Sequence, residues 1–330
     1  MKLNPIFSSN MVFAHSRPIV VFGTGAGTVK VDFCGNSVEK TVESESWQVS
    51  LPSMECGGPY QMDICLNGEK IALENVYVGE VYLCAGQSNM QFKVHESDLA
   101  DSKKHSNEHL RAYSTERIEP PEYFFPKDGW VTCKKDEVDK WSLLGYLIGD
   151  EASRRKNAVV GTINCFQGAS VIESWIPKGL LLEKGIDIPI GERHKDHIDE
   201  WFGKWNNEAF LYEFALKQVI PYQINAVIWY QGESDTSVIE AKVYADELKI
   251  MIDRWREDFD DENLPFVIIQ IADYHERMDE GWRLVQEAQL KIQDMTHGVT
   301  TVICRDVCEN TDIHPKNKEI LANRVVEALM

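Results

Sequence analysis

Residues 76–90 read VYVGEVYLCAGQSNM. A nearly unbroken apolar run ends at Gly86 and gives way to a short polar segment, and a strand this apolar is one whose two faces are both covered, as in a parallel sheet. Glycine then permits a sharp turn. Ser88 leaves the strand where a helix can begin, and the amides of a helix N-terminus can stabilise an oxyanion. Taken alone, Ser88 has two readings: a helix N-cap or a nucleophile.

Working outward, four more runs of the same kind follow: AVVGTINC (158–165), NAVIWYQ (225–231), PFVIIQIA (265–272) and VTTVICR (299–305). Amphipathic segments over 142–155, 208–220, 239–259, 282–295 and 317–330 lie between and after them. Alternating strand and helix predicts an α/β fold with a doubly wound parallel sheet of about five strands. Upstream, PIVVFG, TVKVDFC, SWQVSLP and YQMDICLNG are short alternating runs set apart by Gly, Pro and Asn. They predict a small antiparallel β domain. The expected division is thus a β-sandwich-like accessory domain over 1–75 and a catalytic domain over 76–330. The charged stretch between Ile176 and Asn206 has no clean period and reads as a loop or short helices over the edge of the site.

Ligands of open α/β sheets bind beyond the carboxyl ends of the strands. After the second apolar run comes FQGASVIESW, where Gly168 can bring a backbone N–H close to a substrate, or is an ordinary loop glycine. After the third comes WYQGESD, where the Gln231 amide is placed to donate to developing negative charge and Glu233 and Asp235 add carboxylates. After the last comes ENTDIHPKNK, which delivers His314 to the same sheet edge as Ser88, with Asp312 two residues earlier. Serine, imidazole, carboxylate and extra donors are the parts of an acyl-transfer site.

At these residues the sequence resembles the sialate O-acetylesterase family of the SGNH hydrolases. VYVGEVYLCAGQSNMQF (76–92), VVGTINCFQGASVIESW (159–175), VIWYQGESD (227–235) and DIHPKNK (312–318) match its four blocks in order. Likeness extends to 6–25, 46–64, 252–274 and 282–289, leaving out roughly 93–140 and 177–210. The resemblance implies an SGNH-hydrolase (flavodoxin-like) fold, with Ser88 as nucleophile and His314 as general base. It further implies an oxyanion hole made by the Ser88 and Gly168 amides and the Gln231 side chain, and it needs neither metal nor cofactor. Many SGNH hydrolases carry the triad acid three residues before the histidine, where this chain has Thr311. Asp312 is therefore the expected acid, with Glu233 and Asp235 as alternatives, or a site that works largely as a Ser–His dyad. Phe166 and Gln167 stand where members often have tryptophan and a second glycine, so the pocket floor is expected to differ. Trp175, which follows the Gly168 turn, is placed to line the pocket.

The expected activity is a serine esterase that removes acetyl groups from O-acetylated sugars, sialic acid first. The alternatives are an esterase for acetylated xylan or mannan oligosaccharides, and an inactive sugar-binding member of the fold. A net charge of −19 argues against nucleic acid or an anionic membrane as partner, because a polyanion is repelled over most of the surface. A homo-oligomer built through the β domain is one expectation; a β domain that props one pocket wall is the other. The N-terminal residues show no signal peptide or anchor pattern, and the eight cysteines are scattered without a metal-ligand spacing, Cys304 and Cys308 lacking a second pair. Reduced thiols and a cytoplasmic location are expected. Gly23, Gly25 and Gly27 lead into another strand rather than a helix, which rules against a dinucleotide loop.

Overall fold

The computed structural model describes residues 1–116, 125–187 and 202–330, so part of the charged stretch, 188–201, lies outside the described residues. The N-terminal fifth is strand-rich: β1 (Lys2–Leu3), β2 (Val12–Ala14), β3 (Ile19–Thr24), β4 (Gly27–Phe33), β5 (Asn36–Val42), β6 (Ser46–Leu51) and β7 (Gly57–Leu66). Burial alternates residue by residue along β6, with Trp47, Val49 and Leu51 inside, as the period-2 side-chain geometry of a one-face-buried strand requires. The strands β1, β3 and β6 form one small antiparallel sheet. Next to it, β4 pairs antiparallel with β5 and β7.

The strand β8 (Glu69–Gly86) joins this layer to the rest of the molecule. Its first half pairs antiparallel with β7, and its second half, from Glu80 on, pairs parallel within the main sheet. The sequence-based boundary at 75–76 therefore falls inside one continuous strand. Burial follows the change of partners: the first half alternates, and from Val78 onward every position is buried.

The main sheet continues with β9 (Asn107–Ser114), β10 (Val131–Cys133), β11 (Val160–Phe166), β12 (Ala226–Tyr230), β13 (Phe266–Ile269) and β14 (Val299–Val302). Its order is β10-β9-β11-β8-β12-β13-β14, and every pairing from β9 to β14 is parallel. The strands read from sequence, taken alone, run β11-β8-β12-β13-β14. The additional parallel strand is β9, from the stretch that gave no reading, and β10 closes the edge antiparallel. Because the chain leaves β8 for one side and later crosses to the other, the carboxyl end of β8 is the switch point of the sheet, where such folds open a crevice.

The helices are α1 (Ser88–Gln91), α2 (Leu143–Lys156), α3 (Leu180–Glu183), α4 (Phe202–Trp205), α5 (Phe210–Phe214), α6 (Val238–Ala241), α7 (Tyr244–Asp258), α8 (Glu280–Met295) and α9 (Glu319–Ala328), of which α1, α2, α8 and α9 pack directly on strands of the main sheet. Caps set several of their ends. The Ser142 hydroxyl accepts from Gly145 N at the start of α2, and Asp279 accepts from Trp282 N at the start of α8, each satisfying an otherwise orphaned donor. The segment 208–220, expected as one helix, is instead α5 followed by a short 3-10 turn over Leu216–Gln218. All eight cysteines are free thiols; Cys84, Cys133, Cys165 and Cys304 are buried, whereas Cys34 and Cys56 are exposed. Among the described residues no helix is long and apolar enough to cross a membrane.

Candidate active site

Ser88 opens α1 directly beyond β8. The chain reaches it through Gly86, whose φ is 129° and where a Cβ would lie 2.1 Å from the Tyr230 carbonyl oxygen. Only glycine lets the ends of β8 and β12 close at this point. Gln87 is the N-cap residue of α1 and makes no side-chain cap, so the Ser88 hydroxyl is not engaged in capping. Its Oγ lies 2.8 Å from His314 Nε2.

His314 comes from the loop between β14 and α9. Burial, with help from the Lys318 cation, holds its pKa below the ordinary 6.5, against the opposing pull of Asp312 and Glu96. The neutral ring that results at neutral pH is the form able to take a proton from a hydroxyl.

Asp312 is at the expected place but bonds differently from expectation. Its Oδ1 accepts the main-chain N–H of His314 at 2.9 Å, a local turn of the kind short acidic side chains favour. Among the described residues Nδ1 of the ring receives no hydrogen bond. In this structure the carboxylate shapes the loop and acts on the ring through space.

The two backbone donors read from sequence both border the serine. The Ser88 N–H makes no hydrogen bond among the described residues. The Gly168 N–H donates to Gln91 Oε1 at 2.8 Å, and a Cβ on Gly168 would come within 3.7 Å of Ser88 Cβ. The third expected donor is elsewhere engaged. Gln231 is fully buried, its Nε2 donates to Ser170 O at 2.8 Å and to the Asp235 carboxylate, and its Oε1 accepts from Tyr244 at 2.9 Å. With every side-chain hydrogen-bonding group committed, Gln231 ties β12 to the loop after β11 rather than facing Ser88.

Two other expectations give way for the same reason, burial. Trp175 is fully buried, edge-on to Trp229 at a centroid distance of 5.8 Å and to Trp255 at 6.4 Å, and donates to Ser170 Oγ at 3.1 Å. It belongs to the core beneath the sheet edge and does not line a pocket. Asp235 accepts from the Ile172 N–H at 3.1 Å as well as from Gln231, which makes it a brace between two loops. Glu233 lies closer to the chemistry: its Oε1 accepts from Asn89 Nδ2 at 2.5 Å, while Oε2 is buried without a partner among the described residues. Burial raises its carboxyl above the usual range.

Sequence reasoning passed over Asn89, Gln91 and Lys318. Asn89 donates to Glu233 and to the Ile313 carbonyl oxygen at 2.9 Å, and Lys318 donates to Asn89 Oδ1 at 2.9 Å. Both were visible as polar residues inside the blocks carrying Ser88 and His314. What sequence does not show is that they are buried, and burial is what makes a polar side chain informative.

A family model described as "Carbohydrate esterase, sialic acid-specific acetylesterase" matches residues 78–329. The sialate O-acetylesterase of Mus musculus is 22% identical over 368 residues, covering 92% of this chain and 68% of that one. The human sialate O-acetylesterase is 23% identical over 345 residues, covering 92% of this chain and 65% of its own length. The chain thus spans about two thirds of the length of these curated relatives. Among solved structures, a carbohydrate acetylesterase from Xanthomonas citri superposes with a TM-score of 0.85 at 24% identity, covering 99% of this chain and 74% of that one. That likeness shows that the two share a fold.

Proposed function

The chain belongs to the carbohydrate esterases described as sialic acid-specific acetylesterases, a family of carboxylic ester hydrolases, and from that premise we propose that it is a serine esterase that removes O-acetyl groups from sugars, with O-acetylated sialic acid as its substrate. The observation that carries the mechanism is the 2.8 Å contact between Ser88 Oγ and His314 Nε2. The preference for sialic acid rests on the family description and on the names of the mouse and human relatives.

In this reading Ser88 Oγ attacks the acetyl carbonyl carbon while His314 Nε2 takes the hydroxyl proton. The carbonyl oxygen gains negative charge and is received by the Ser88 and Gly168 N–H groups. Gln91 Oε1 already sits on the Gly168 N–H, an acceptor oxygen where the oxyanion arrives, and it swings aside when substrate binds. The imidazolium returns its proton to the sugar oxygen, the C–O bond breaks and the deacetylated sugar leaves. A water molecule, deprotonated by His314, then attacks the acetyl carbon of acetyl-Ser88; the bond from that carbon to Oγ breaks, the imidazolium returns its proton to Oγ, and acetic acid leaves and ionises to acetate. Asp312 supports the imidazolium electrostatically.

The test is acetate release from O-acetylated sialic acids and from acetylated xylo- and manno-oligosaccharides, with Ser88→Ala as control. Release from the sialic acids alone, abolished in the variant, is expected. Release from the oligosaccharides alone overturns the substrate. No release from any of them, with simple aryl acetates also untouched, overturns the esterase reading in favour of an inactive sugar-binding protein.

A further inference from the structure

Lys318 is 1% exposed. Taking an ammonium out of water costs several kcal/mol, on the order of the stability of a whole domain, unless other groups compensate it. Here the compensation is specific. Lys318 Nζ donates to the Asn89 main-chain oxygen at 3.2 Å and to Asn89 Oδ1 at 2.9 Å, and it lies 4.4 Å above the centre of the Phe92 ring, a cation–π distance.

Two contact routes lead from this ammonium to the catalytic histidine. Through Asn89, whose Nδ2 holds the Ile313 carbonyl at 2.9 Å, it reaches the peptide group directly before His314. Through Phe92 it reaches the ring itself, since the Phe92 and His314 rings stack with centroids 6.0 Å apart and planes 27° from parallel. Asn89 also shows why a donor is required. Its Nδ2 faces two acceptors, Glu233 Oε1 and Ile313 O, so its oxygen must face a donor, and Lys318 is that donor. An apolar residue at 318 would leave two buried acceptors on Asn89 unpaired, a penalty of about 1–3 kcal/mol each.

We propose that Lys318 is a positioning residue for the reaction, its buried ammonium locking Asn89 and Phe92 so that the His314 ring stays within reach of Ser88 Oγ. The proposal rests on Ser88 and His314 being nucleophile and base. The groups that face Lys318 are Glu233 beyond β12, Cys304, Cys308 and Glu309 beyond β14, and His314 in its own loop; Tyr230 adds an aromatic wall at 6.0 Å. Burial pulls the ammonium down to about 8, and its charge in turn helps hold His314 below its ordinary value.

The experiment compares kcat, KM and the pH profile of kcat/KM for wild type, Lys318→Met and Ser88→Ala on 4-nitrophenyl acetate, with folding checked by circular dichroism. Lys318→Met is expected to lose roughly 10- to 100-fold in kcat, the range for a displaced catalytic group, with KM little changed. Its acid limb is expected to move to higher pH, because the cation that holds His314 down is gone; a merely structural role would leave that limb in place. Should Lys318→Met fail to fold, Lys318→Arg serves: it keeps the charge and the acid limb but is expected to lose kcat, since a planar guanidinium does not fit the same two acceptors. A Lys318 variant with wild-type kcat and an unmoved acid limb, beside an inactive Ser88→Ala, overturns this inference alone. Full activity in Ser88→Ala overturns the nucleophile assignment and this inference with it.

Discussion

Ser88 Oγ and His314 Nε2 stand 2.8 Å apart although 226 residues separate them in the chain. The sheet brings them together: Ser88 follows its central strand β8, His314 follows its edge strand β14, and both lie beyond the carboxyl ends. If this pair is the catalytic centre, Ser88→Ala removes the nucleophile and leaves the fold alone, since the hydroxyl caps no helix. Turnover is expected to fall by several orders of magnitude, with up to about 10³–10⁴-fold catalysis over water surviving through binding and the oxyanion donors. Acetate release measured beside an unchanged thermal midpoint checks both halves.

The pH dependence follows from His314. In the proposed mechanism its neutral form accepts the serine proton, and its pKa lies below 6.5 because the ring is buried near Lys318. Activity therefore persists to lower pH than an unperturbed histidine would allow. The acid limb of kcat/KM, which reports groups of the free enzyme, is expected to have its midpoint below 6.5. A midpoint above that value would mean that the Asp312 and Glu96 charges outweigh burial.

Asp312→Asn separates two roles for the carboxylate. Asparagine retains an oxygen for the His314 main-chain N–H, so the loop keeps its turn and the variant loses only the negative charge near the ring. The expected result is an acid limb shifted to lower pH and a loss of turnover well short of the ~10⁴-fold seen when a ring-bonded triad aspartate is replaced. A loss of that full size would show that the carboxylate turns to Nδ1 during catalysis.

The sequence made the parallel strands legible because β8, β11, β12, β13 and β14 are buried on both faces and so read as apolar runs. The strand β9 escaped notice for a physical reason: in Asn107–Ser114 its first three residues are partly or wholly exposed and only Leu110 through Tyr113 are buried, with Arg111 in the middle of the buried stretch. Ser88, Gly168 and His314 were legible because chain position fixes which sheet edge a residue reaches. Gln231 and Trp175 were misread because chain position fixes the edge but not the direction of the side chain, and each points into the packed interior.

Gln231→Ala tests that interior placement. The substitution leaves the Ser170 carbonyl without its donor in the core, at about 1–3 kcal/mol for a buried group left unsatisfied, and takes one hydrogen bond each from the Asp235 carboxylate, which keeps the Ile172 N–H, and from the Tyr244 hydroxyl, which keeps the Gln231 main-chain oxygen. The expected outcome is a clearly lowered thermal midpoint. An unchanged midpoint with a kcat loss of about 10²–10³-fold is the signature of an oxyanion donor, and would show that the amide reorients toward Ser88 when substrate binds.

Trp175→Ala makes the same contrast at the other misread position. The indole is enclosed by Trp229 and Trp255, with its Nε1 bonded to Ser170 and its carbonyl accepting from Trp255 Nε1 at 3.1 Å. Removing it opens a large cavity beneath the loop that carries Gly168, at about 3–5 kcal/mol for an aromatic truncation in a core. A fall in thermal midpoint on the order of 10 °C is expected from a cost of that size. At temperatures where the variant is folded, KM for acetylated sugars should stay within about threefold, a change of under 1 kcal/mol in binding, because the ring is fully buried against other tryptophans. A rise in KM of tenfold or more without loss of stability would place Trp175 against the sugar, as its position after the Gly168 turn first implied.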